Sequence, residues 1–331
     1  MVMVLVLGFT CGCEKEGPDT ESDLQTQTVQ FTGGSFKMVL CPGGTFLTND
    51  DDGDTDYEDG PEVTVGPFWI SEIEVTNKLL AWIYNCASGL DIVPGAITGG
   101  EPIFDTGDDN SPNYLCDDYV KWGDQPLIYM GGSQLYGYYD IERTGGFYVR
   151  SGLDEYPCTD ITWYGAIMAC NWLTEQGVGL ASLSKVYSGI DYDEWWADQT
   201  ECDMNKKGFR LPTAVEWECA ARWQGSDNSG DSYEYPPGSG SYWTRGGSAS
   251  GEPSLSNNKE QVKGDREPNA LGLYDMTGNV WEWCYNEAET WKNRIIRSGD
   301  EDVARISAIW DYPADGTASD LGFRLVITAP D

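Results

Sequence analysis

The stretch GLYDMTGNVWEW, Gly272 to Trp283, decides how the rest of this chain is read. Within a dozen residues it carries Tyr274, Trp281 and Trp283, the turn formers Gly272, Gly278 and Asn279, and the carboxylates Asp275 and Glu282. Rings of that size belong in a core. A turn that sets backbone carbonyls beside carboxylates can wrap a hard cation such as calcium, which takes several oxygens at about 2.3–2.6 Å. The plainer reading is that Asp275 and Glu282 hydrogen-bond nearby backbone. Both readings stand at this point.

Four further stretches flank it. Pro67 to Asn77 (PFWISEIEVTN) alternates as a strand until Thr76, which caps a helix continuing through Leu79, Leu80, Ile83 and Tyr84. Tyr156 to Tyr164 (YPCTDITWY) is a short strand entering a helix capped by Thr162, with Trp163, Ile167, Cys170 and Leu173 on one face. Gly208 to Thr213 (GFRLPT) leads into a capping box, Thr213 to Glu216, that opens a third helix with Trp217, Ala220 and Ala221 on its buried side. Arg294–Gly299, Ala304–Ala308 and Leu321–Val326 (LGFRLV) read as closing strands, and Phe36–Val39 and Gly44–Leu47 alternate as opening ones. The acidic run Asn49–Gly60 lacks the glycine that the sixth position of an EF-hand requires, so it reads as a solvated loop.

Together these five stretches resemble the formylglycine-generating enzyme, or sulfatase-modifying factor, family. The resemblance implies a loop-rich α+β fold of the formylglycine-generating-enzyme type, a variant of the C-type lectin fold. It implies one domain over residues 31–331, with insertions near 88–156 and 180–207. In calcium-binding relatives the turn equivalent to 275–282 supplies two side-chain ligands, matched here by Asp275 and Glu282, and two carbonyls, matched by Gly278 and Val280. In the oxidase members, two cysteines between the closing strands bind copper as thiolates and activate oxygen. Here Asp300 to Ile309 holds no cysteine, and none follows Cys284. A soft Cu(I) site needs thiolates, so no copper is expected and an oxidase-like enzyme is disfavoured.

What the resemblance leaves is a shaped surface. Asp300, Glu301, Asp302, Trp310, Asp311, Tyr312, Asp315 and Asp320 lie on or near loops that form the exposed ligand face of this fold. Aromatic anchors ringed by acids suit an external protein, peptide or glycan; an ordinary solvated loop is the bland alternative. Some relatives are surface proteins diversified by retroelements at this face. The expectation is therefore a non-catalytic surface lipoprotein that binds a ligand, with a structural lipoprotein of an envelope or motility assembly as its rival.

Composition sets the outer bounds. A chain of 331 residues with 40% hydrophobic residues and 14 tryptophans can fill one large core or two ordinary ones, while 40 glycines and 16 prolines demand many turns. A net charge of −35 argues against nucleic acid or an anionic membrane surface as partner, and is compatible with divalent cations. With no histidine anywhere, a Ser-His-Asp triad, a Cys-His pair and His-bearing zinc or iron sites are excluded. Ten cysteines suggest an oxidising compartment. Eight of them lie beyond residue 13, so up to four disulfides are possible, in pairings that spacing cannot specify.

The first ten residues are apolar and end at Thr10-Cys11-Gly12-Cys13, which looks like a secretory signal running into a lipoprotein cleavage site, residues 1–13. Cys13, or else Cys11, would then carry the lipid. Ten apolar residues are too few to span a bilayer, so contact with a membrane is expected only through that anchor. Residues 14–30 are polar and read as a flexible tether.

Overall fold

The computed structural model describes residues 25–48, 61–87, 103–104, 119–122, 125–129, 141–143, 147–149, 154–178, 183–190, 200–223, 268–276, 278–289, 292–298, 306, 309–318 and 320–329. Along the chain run β1 (Thr26–Phe31), β2 (Gly34–Cys41), β3 (Gly44–Leu47), β4 (Glu62–Val65) and β5 (Phe68–Ser71), then α1 (Asn77–Ala87). Next come β6 (Ile103–Phe104), β7 (Tyr119–Trp122), β8 (Gln125–Tyr129), β9 (Ile141–Arg143) and β10 (Phe147–Val149), followed by α2 (Trp163–Glu175). Then follow β11 (Tyr187–Ser188), β12 (Glu201–Cys202) and α3 (Ala214–Arg222). The chain closes with β13 (Trp281–Glu287), β14 (Asn293–Arg297), β15 (Ile309–Pro313), β16 (Leu321–Gly322) and β17 (Val326–Thr328).

The helices begin where their capping residues stand. Thr76 Oγ1 accepts the Leu79 N–H at 3.3 Å, Thr162 Oγ1 accepts that of Gly165 at 2.9 Å, and Thr213 with Glu216 forms the full reciprocal box. Each satisfies an N–H that the first helical turn leaves without an internal partner. In α2, every residue from Trp163 to Thr174 is buried, so the expected single apolar stripe understates it. A helix enclosed on all sides must satisfy its polar groups internally. The Thr174 hydroxyl donates to the Cys170 carbonyl and accepts the Phe209 N–H, both at 2.9 Å, while Asn171 bonds both backbone groups of Tyr187.

Two four-stranded sheets, β1-β2-β5-β17 and β15-β14-β13-β16, form the frame; all their pairings are antiparallel except β13 with β16. Successive side chains of a strand point to opposite faces, and here both faces find a core. Met38, Trp281, Trp283, Ile296 and Ile327 join α1 and α2 in one cluster. Their neighbours Val39, Cys41, Cys284 and Val326 join Trp217, Ala220 and Ala221 of α3 in the other. The sheets thus divide two apolar layers.

One expected boundary is corrected. The tether drawn over residues 14–30 overlaps β1, which pairs with β2 along its whole length, so the folded domain begins before residue 31. The insertions also carry order of their own. Strands β6 to β10 lie within 88–156, and β11 pairs β12 within 180–207. Tyr187 of β11 is 3% exposed and its hydroxyl accepts the Leu211 N–H at 2.8 Å, so this insertion supplies part of the core. The acidic run 49–60 and residues 224–267 lie outside the described residues.

At Gly322 the chain passes so near the preceding layer that a Cβ would meet the Cys158 carbonyl oxygen at 2.4 Å. Gly322→Ala should therefore lower unfolding stability by about 1–3 kcal/mol, seen as a lower urea midpoint at unchanged slope. A midpoint equal to that of the parent would show that the backbone moves aside freely.

Candidate functional site

The turn that carries the expected cation ligands is built from left-handed residues: Gly272 (φ +79°), Asp275 (+56°), Gly278 (+87°) and Asn279 (+78°), with Ser298 (+88°) facing them. Glycine and asparagine tolerate this region, which explains their presence here. Asn269 fastens the segment to α3. Its side-chain amide donates to the Ala220 carbonyl at 2.9 Å, and its oxygen accepts the N–H groups of Leu271 and Leu273, each at 3.0 Å. The Ser298 hydroxyl then donates to the Gly278 carbonyl at 3.0 Å, and to that of Asp275 at 3.4 Å.

Glu282 is fully buried, and its carboxylate is gripped by Arg324. Arg324 Nε donates to Oε2 and Nη2 to Oε1, both at 2.6 Å, and Trp217 Nε1 adds a third bond to Oε2 at 2.9 Å. Burial alone would lower the Arg324 pKa, but the charge and hydrogen bonds of Glu282 outweigh it and raise it. Beside this pair lies Glu74, 5% exposed, accepting a bond from Asn279 Nδ2 at 3.0 Å. Burial, and next the negative charge of Asp275, push the Glu74 carboxyl up to about 8. Three carboxyl groups, those of Glu74, Asp275 and Glu282, therefore share the field of one guanidinium.

This arrangement bears on the expected calcium set of Asp275, Gly278, Val280 and Glu282. The two carboxylates do belong to one charged cluster. Glu282, however, serves Arg324 first: its Oε2 is filled by two donors, and Oε1 keeps one lone pair. The Gly278 carbonyl already accepts Ser298 and also keeps one. Among the described residues, no group of three or more Cys, Asp or Glu side chains is arranged to hold a metal. A cation at this turn would depend on Asp275 and on backbone carbonyls, and the donor set fits it in part. Glu74 and Arg324 were not legible as members of the cluster; the sole local hint was an acid, Glu74, late in an otherwise alternating strand.

Of the residues expected on the ligand face, Trp310, Asp311 and Tyr312 lie not on a loop but on β15, the outer strand of its sheet among the described residues. Trp310 is 59% exposed and Ile309 44%. Trp310 lies edge-on to Trp281 (ring centres 6.3 Å apart), and Tyr312 edge-on to Trp283 (6.1 Å), so the face continues the aromatic packing of β13 out to solvent. The Tyr312 hydroxyl donates to the Thr317 carbonyl at 3.2 Å, and Asp311 accepts from Asn293. Asp315 is exposed, and Asp320 is half-buried with its carbonyl accepting the Trp281 N–H at 2.7 Å. Asp300, Glu301 and Asp302, like the lipidation candidates Cys11 and Cys13, lie outside the described residues. Ile309 and Trp281 were missed in sequence; the period-two spacing of Trp281 and Trp283 is the signal that places both on one face.

Comparison with known proteins gives the arrangement its context. Residues 23–329 match the family described as sulfatase-modifying factor enzyme 1-like domain. "Chaperone protein LppX" of Paenibacillus barcinonensis is 34% identical over 208 residues, 52% of this chain and 70% of that protein. "Inactive C-alpha-formylglycine-generating enzyme 2" of Bos taurus is 24% identical over 297 residues, 87% of this chain and 80% of that protein. Among solved structures, "Treponema denticola variable protein 1" superimposes with a TM-score of 0.56 at 23% identity, covering 92% of this chain and 99% of that one, a likeness of fold. No helix among the described residues is long and apolar enough to cross a membrane.

Two outcomes test the charged cluster. Arg324→Met leaves Glu282 buried without its counter-charge and should lower stability by about 3–5 kcal/mol, with Glu282→Leu in the same chain restoring much of the loss; equal losses in single and double variants would remove the pair from this role. Glu74 holds its proton in the folded state up to about pH 8 but loses it near 4.5 when unfolded. Its contribution to stability is therefore full below 4.5, falls as pH rises to about 8 and is level above, at a slope of about −1.4 kcal/mol per unit. Glu74→Gln should remove that slope from a series of denaturant melts.

Proposed function

The chain belongs to the sulfatase-modifying factor enzyme 1-like family, and from that premise we propose that it is a non-catalytic, ligand-binding member whose recognition face is β15 and the turn after it. The observation that carries this reading is Trp310, a large ring more than half exposed yet braced against Trp281. A rigid aromatic held out to water at the end of a packed ladder is the kind of residue that anchors binding surfaces. Exposed Ile309 beside it and the acids Asp311 and Asp315 nearby supply an apolar centre with an acidic margin. Half-buried Asp320 extends that margin in this reading.

The absence of any cysteine after Cys284 and of all histidines supports a non-catalytic role, as does similarity to a protein named as an inactive formylglycine-generating enzyme. The ligand class we favour is polypeptide, because the relative at 34% identity is named a chaperone. The apolar leader ending at Cys11 and Cys13 favours export and lipid attachment. Calcium at the 275–282 turn is a second proposal. It rests on the crowding of Glu74, Asp275 and Glu282 around one arginine, which a cation would relieve.

Screening the protein against peptide and glycan arrays tests the face. Trp310→Ala should weaken each interaction found by roughly tenfold or more at an unchanged melting temperature. Undiminished binding by the variant would move the site elsewhere, and hits confined to glycans would overturn the polypeptide assignment. For calcium, the parent should melt higher in calcium than in chelator, whereas Asp275→Ala should show no such increment; comparing increments cancels any backbone strain at this left-handed residue. An equal increment in both proteins would remove Asp275 as a ligand.

A further inference from the structure

The seven described cysteines, Cys41, Cys86, Cys158, Cys170, Cys202, Cys219 and Cys284, are thiols in this structure. Two of them meet. Cys41 ends β2 and Cys219 lies in α3, 178 positions further on, and their sulfurs are 4.0 Å apart with neither residue exposed at all. Their surroundings are the apolar layer of Val39, Phe68, Ile70 and Trp217.

We infer that Cys41 and Cys219 are a site of covalent modification, joined as a disulfide when the chain folds in an oxidising compartment. The sulfurs already face one another across the interface, and a bond of about 2.05 Å requires them to approach by roughly 2 Å, within reach of rotations about the two Cα–Cβ bonds. An apolar layer suits the product, since a disulfide carries no proton donor that needs a partner. The bond forms by thiol–disulfide exchange. One cysteine thiolate attacks an external disulfide, releasing one thiol; the second cysteine then attacks the mixed disulfide and releases the other. Two protein thiols and one external disulfide become one protein disulfide and two external thiols, with electrons and protons balanced. Because neither sulfur touches solvent once the layer closes, exchange takes place before α3 docks on β2. The bond ties the first sheet to the helix that precedes the 272–283 turn, and encloses both insertions in its loop.

Its setting in the cell rests on the export reading, but its chemistry does not, so the test is made on the purified full chain. The protein is unfolded in denaturant and reductant, refolded in a mixture of reduced and oxidised glutathione, alkylated in denaturant and digested with trypsin. The peptides Met38–Lys78 and Leu211–Arg222 each hold a single cysteine, Cys41 and Cys219. They should be recovered linked, and released by reductant before digestion. Recovery of both peptides singly alkylated, or of Cys41 linked to another cysteine, would overturn the assignment. In the folded protein the link should withstand reductant that opens it at once in denaturant, and the oxidised form should melt roughly 5 °C above the reduced form. A link that opens equally fast in the native protein would place these sulfurs outside the sealed layer.

Discussion

A carboxylate and a guanidinium sealed away from water, Glu282 and Arg324, hold the middle of this fold. Removing two charges from water is costly, and that cost is offset by the pair's two-point geometry and by further hydrogen bonds to both partners. Arg324 also donates to the carbonyls of Ser71 at 3.2 Å and Tyr274 at 3.1 Å, while Glu282 takes the indole N–H of Trp217. One ion pair thus joins the strand β5, the helix α3, the left-handed turn, β13 and the closing segment. The stretch Tyr156–Tyr164 is tied in by indoles: Trp163 donates to the Cys284 carbonyl and Trp283 to that of Ile161. Stretches scattered from Pro67 to Val326 are thus hydrogen-bonded to one another.

The same device recurs. Arg210 makes a two-point pair with Glu216 at 2.6 and 2.7 Å, and Glu218 lies between Arg222 at 2.8 Å and Arg297 at 2.6 Å. Burial raises the Glu216 pKa, but the hydrogen bonds and charge of Arg210 outweigh it and bring it below the ordinary carboxylate value. In a chain with 55 acidic and 20 basic residues, four arginines are thus committed to internal carboxylates. They set α3 against both sheets with a precision that apolar packing alone does not impose, because a misplaced charge would lose its partner in low dielectric.

The proposed recognition face would gain from such a frame. Trp310 would bind weakly if it had to be ordered on contact, since immobilising a side chain opposes association. Here the ring is already propped by Trp281, which is 8% exposed and belongs to the core. On the same side of the sheet, Arg294 lies 3.9 Å above the Trp163 ring and donates to the Tyr285 carbonyl at 3.3 Å, continuing the stack inward. The outward ring is thereby an extension of the interior, fixed by the same sheet that carries Glu282 on its other face.

Sequence by itself determined whatever depends on residues three or four apart, or on strict alternation. The caps at Thr76, Thr162 and Thr213 and the left-handed turn formers Gly272, Gly278 and Asn279 were legible, because each is a local bargain between a side chain and its nearest backbone. Strand ends were not, since the strand expected before Thr162 is an isolated bridge at Pro157 and the one expected before Thr76 stops at Ser71. The missing cysteine pair was legible too, as a fact of composition. Tertiary structure alone decided the partnerships. Glu282 read as a cation ligand or as an acid bonded to local backbone, and chain closure set Arg324, 42 positions away, against both its oxygens. Glu74 looked like scaffold until the turn brought Asn279 and Asp275 beside it, and Cys41 found Cys219 only when the two sheets closed around α3. Local spacing carries no record of which distant groups will share one water-free space, and it is in that space that charge, proton and sulfur acquire their roles.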